Sequence, residues 1–113
     1  MKRYEICYDE EGDILEATWQ PKQKQPQHGV KLTDNIILFT DAAVTVLLGL
    51  MLISYEPLSA LSCVELTNLP LLPPEQQERV RMMLKQAPLN RFLHFDGENS
   101  VKAGGTPIHA LIF

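Results

Sequence analysis

The chain has 113 residues, a hydrophobic fraction of 45% and a net charge of −4, with an isoelectric point near 5.3. That length suits one domain over 1–113, large enough to hide roughly two-thirds of its unfolded surface. The apolar content excludes wholesale disorder, and the acidic balance argues against nucleic acid, whose phosphates require a basic excess.

The first element is a β-hairpin. Tyr4, Ile6 and Tyr8 alternate with Arg3, Glu5 and Cys7, the period-two pattern of a strand buried on one face. Asp9-Glu10-Glu11-Gly12 is a turn, where Asp bonds nearby amides and Gly12 tolerates positive φ. Asp13–Gln20 returns with Leu15, Ala17 and Trp19 on one face and Glu16, Thr18 and Gln20 on the other. Residues 20–29, QPKQKQPQHG, form a polar loop with four glutamines, two lysines and no apolar residue to pack.

Val30–Leu32 reads as an edge strand and Thr33-Asp34-Asn35 as a turn. A second hairpin follows, Ile36–Thr40 and Val44–Ser54 around Asp41-Ala42-Ala43. Its second arm is apolar on both faces: Val44, Val46, Leu48, Leu50 and Leu52 on one, and Thr45, Leu47, Gly49, Met51 and Ile53 on the other. A buried helix is the competing form of this segment, since Gly49 would cost it only about 1 kcal/mol. A strand fits better beside the preceding arm and turn.

Beyond Tyr55, Pro57 opens a helical turn through Leu61 and Cys63–Leu66 suits a brief strand. The clear helix covers Pro74–Ala87. Proline is costless at the first helical position, and Glu75, Glu78 and Lys85 match the helix dipole. Val80, Met83, Leu84 and Ala87 make a single apolar stripe, and Pro88 ends the helix. Leu89–Phe95 reads as a further strand before Asp96-Gly97. The tail over 98–113 combines a flexible Gly104-Gly105 with an apolar end. The expected fold is therefore α+β: an antiparallel sheet of two β-hairpins, four to five strands over 1–55, with one main C-terminal helix at 74–87.

One helix about 10 Å across covers roughly two strands spaced about 4.8 Å apart, so the sheet has more apolar surface than that helix hides. A second copy of the chain is the expected cover, in a symmetric homodimer, with Leu47, Leu50, Met51 and Ile53 as the candidate interface. The competing cover is the chain's own end, through Ile108, Leu111 and Phe113.

The residues carry little catalytic signal. Glu5, Asp9, Glu10, Glu11, Asp13 and Glu16 could hold a divalent cation or act as acid and base, but they lack a calcium-loop spacing and fit a solvated turn. His28, His94 and His109 make no metal pair. Cys7 and Cys63 form no CxxC motif, and only their separation leaves room for a Cys–His nucleophile. No phosphate loop, nucleophile elbow or dinucleotide fingerprint occurs. The basic sets Lys22, Lys24 and Lys31, and Arg79, Arg81 and Lys85, lack interleaved aromatics; in the second, Glu75–Arg79 has favourable helical spacing. No cofactor is implied. The opening MKRYEICYDEEGD lacks a signal's apolar run. Residues 42–53 are apolar for only 12 positions, short of the about 20 that span a membrane. The expectation is a cytoplasmic protein, away from membranes, with reduced thiols.

The segments YDEEGDILEATW (Tyr8–Trp19), NIILFTD and GLMLISYEPL resemble a small bacterial family known as domain of unknown function 2283, with the likeness running from Tyr4 to about Leu58. Glu16 stands where the family often has tyrosine, and Asp41-Ala42-Ala43 lacks its usual turn glycine. The resemblance implies a short antiparallel-sheet protein and, from some relatives, an antitoxin-like binding role. It brings no catalytic residues. The expected function is thus a noncatalytic protein-interaction module, with a small enzyme or metal-binding protein built around Asp9 and Asp13 as the alternative.

Overall fold

Alternation in the first half of the chain builds one continuous antiparallel sheet. The computed structural model describes residues 4–19, 28–86, 89–96 and 99–103. Strands β1 (Tyr4–Asp9), β2 (Ile14–Trp19), β3 (His28–Thr33), β4 (Ile36–Thr40) and β5 (Leu47–Ile53) are ordered β1-β2-β5-β4-β3. The doubly apolar β5 takes the centre, where both of its edges are paired. A second sheet, β6 (Val64–Glu65), β7 (Leu93–Asp96) and β8 (Ser100–Ala103), has the order β6-β8-β7. Helices α1 (Tyr55–Ala60) and α2 (Pro74–Lys85) complete the fold, which is α+β as the residue pattern predicts.

Register aligns like with like across the large sheet. One face carries the rows Tyr8, Leu15, Leu52, Ile36 and Ile6, Ala17, Leu50, Leu38, Val30. These meet Tyr55 and Leu58 of α1, Val80 and Leu84 of α2, and Leu93, Val101 and Ala103 of the small sheet in one core. Each fully buried leucine or valine there contributes about 1.5–3 kcal/mol. The inner face is thus covered by a layer of helices and a second sheet, a larger cover than the lone helix expected from the sequence.

Several boundaries differ from the sequence reading, each for a local reason. β5 begins at Leu47, not Val44. The Asp41 carboxylate accepts the Thr45 and Val46 amides at 2.7 and 3.0 Å and the Thr45 hydroxyl at 2.5 Å, and the Val44 amide bonds the Asp41 carbonyl at 3.0 Å. This closure holds 44–46 in the connection, so local side-chain bonding overrides the strand preference of two valines. Val44 takes φ 56 yet is fully buried, while Val46 is exposed. The tail region contributes β8, the middle strand of the small sheet. Of the strand expected over Leu89–Phe95, Leu89–Arg91 is instead a 3-10 turn before β7. The helix closes at Lys85. The polar loop expected over 20–29 gives its last two residues, His28 and Gly29, to β3; its residues 20–27, Ala87, Pro88 and residues 104–113 lie outside the described residues. Among the described residues no helix is long and apolar enough to cross a membrane.

Candidate functional site

The outward face of the large sheet has a composition unlike a solvated sheet surface. Its central row runs Cys7, Glu16, Met51, Ile37, Lys31, one residue from each strand. The next row is Glu5, Thr18, Gly49, Phe39, Gly29, and on the other side Asp9 pairs Ile14, which pairs Ile53. The middle of the face is therefore Ile14, Ile37, Phe39, Met51 and Ile53, all half-buried. Glu5, Cys7, Asp9 and Glu16 form an exposed margin on one side and Lys31 on the other. Antiparallel sheets that face water normally alternate apolar-in with polar-out; here the adjacent strands β4 and β5 are apolar outward as well, with Ile14 of β2 beside them.

Gly49 and Phe39 shape the centre. A Cβ added to Gly49 would lie 3.0 Å from the Ala17 carbonyl oxygen and 3.6 Å from the Phe39 ring, and one added to Gly29 would lie 3.9 Å from the same ring. Phe39 thus lies across ground left open by two glycines, flattening the face.

The four residues singled out as an interface divide between the two faces. Met51 and Ile53 lie outward. Leu50, 1% exposed, points into the intramolecular core, and its side chain is closed to any partner in this fold. Leu47 also packs against the core, because an irregularity between Phe39 and Thr40 breaks the alternation and places Leu47 opposite Thr40. Ile14, Ile37 and Phe39 were missed. Reading each strand's odd and even positions against the buried set would have found them.

The acidic hairpin has a different job. Asp13 takes φ 53, and its carboxylate accepts the Tyr8 hydroxyl at 2.6 Å and the Glu56 amide at 3.0 Å. Its carbonyl accepts the Tyr55 amide at 2.9 Å. Asp13 therefore caps the N-terminus of α1 from 43 residues away, a place where Ser54 supplies no side-chain bond. Tyr8 also meets Tyr55 edge-to-face at 6.0 Å. The bond to Asp13, aided by burial and the nearby Asp13, Glu56 and Glu10 charges, pushes the Tyr8 hydroxyl up to about 12. Burial likewise raises Tyr55. Asp9 accepts its own turn amide, from Glu11 at 3.1 Å.

The remaining candidates are dispersed. His28 and His94 are exposed on β3 and β7, Cys7 and Cys63 are free and exposed, and His109, Lys22 and Lys24 lie outside the described residues. Among the described residues no group of three His, Cys, Asp or Glu is placed to hold a metal ion. Arg79 donates to the Ala43 carbonyl at 2.8 Å, tying α2 to the β4–β5 connection. Arg81 reaches Asn99 and Glu78, and Lys102 closes the end of α1 through the Ser59 and Leu61 carbonyls. Lys31 pairs with Asp34 at 3.3 Å. No family model matches the chain, and no curated protein or solved structure matches it either.

Proposed function

We propose that the protein is a noncatalytic protein-interaction module that works as a homodimer through the outward face of its large sheet. The observation that carries this reading is the apolar centre formed by Ile14, Ile37, Phe39, Met51 and Ile53 on a face that the two helices and the small sheet do not share with the core. Contiguous apolar surface of this kind marks interaction sites on proteins. Of the two carboxylates around which an enzyme or metal site would be built, Asp13 caps a helix and Asp9 accepts an amide of its own turn. A cytoplasmic setting belongs to the same proposal, supported by two exposed cysteines that are free. An antitoxin-like partner role rests only on the resemblance of Tyr8–Trp19, NIILFTD and GLMLISYEPL to domain of unknown function 2283.

Size in solution tests the reading. The wild type is expected to sediment as a dimer, and Met51→Asp, with its circular dichroism unchanged, as a monomer. A folded Met51→Asp of unchanged size would remove this face as the working surface.

A further inference from the structure

We draw no further inference here: the strongest candidate, the half-buried outward face of the large sheet around Phe39 and Met51, carries nothing beyond the proposal above because nothing among the described residues shows what covers it.

Discussion

Replacing Asp13 separates a helix cap from a metal or catalytic carboxylate. Its side chain receives the Glu56 amide at 3.0 Å and the Tyr8 hydroxyl at 2.6 Å, and its backbone holds φ 53. Asp13→Ala removes the cap, worth about 1 kcal/mol, and forces alanine into the left-handed region, at a further cost of about 1 kcal/mol. Loss of the Tyr8 partner adds to this total of about 2 kcal/mol. For 113 residues, an unfolding entropy of about 2.1 cal/mol/K per residue converts it to a fall of about 8 °C in melting temperature. Asp13→Asn keeps a capping oxygen and tolerates positive φ, so it loses at most about half as much. Calorimetry without and with millimolar calcium or magnesium decides the matter. The cap requires a large loss in the alanine variant, a small one in the asparagine variant, and no cation dependence in any of them. Equal melting temperatures for wild type and Asp13→Ala would refute the capping assignment, as would a cation-induced stabilisation of the wild type that Asp13→Ala abolishes.

Leu50→Ala empties a fully enclosed position in the core and is expected to cost about 2–5 kcal/mol by urea titration, while leaving the size in solution of the folded fraction unchanged, since Leu50 faces away from the outward surface. Asp41 gives the fold an acid-sensitive element. The Thr45 hydroxyl, and then the Val46 and Thr45 amides, hold its carboxyl down to about 2 from the ordinary 3.8. A carboxyl lowered on folding stabilises above its unfolded value and loses that contribution as pH falls through the folded one. The urea midpoint should therefore decline between about pH 4 and about pH 2, and Asp41→Ala should flatten that part of the profile.

Much of the large sheet is legible in the residues because its rules are local. Ile6 and Tyr8 against Glu5 and Cys7, and Leu15 and Ala17 against Glu16, alternate cleanly, and the structure pairs them in the register that alternation requires. The helix at Pro74 announces itself through proline, dipole-matched charges and one apolar stripe. The small sheet does not. β6 has two residues and β8 four, too short for a period to emerge, and they are strands because each finds a partner distant in sequence. The capping role of Asp13 was hidden for the same reason: its acceptor geometry depends on Glu56, 43 positions away. At Val44–Val46, three β-branched residues point to strand, and a single carboxylate at Asp41 outweighs them.

A sheet of this size could have solved its solubility problem more simply. Replacing Ile14, Ile37, Met51 and Ile53 by threonine or lysine would keep the β-propensity or the reach of each position and give the ordinary one-sided antiparallel pattern. The inner rows would lose nothing, since Leu15, Leu38, Leu50 and Leu52 supply that core by themselves. The outward apolar centre therefore adds little to the fold beneath it. It also carries a hazard, because flat apolar sheet invites unselective contact. The exposed carboxylates of Glu5, Asp9 and Glu16 beside that centre limit such contact, since charge along the rim of an apolar sheet opposes unselective pairing.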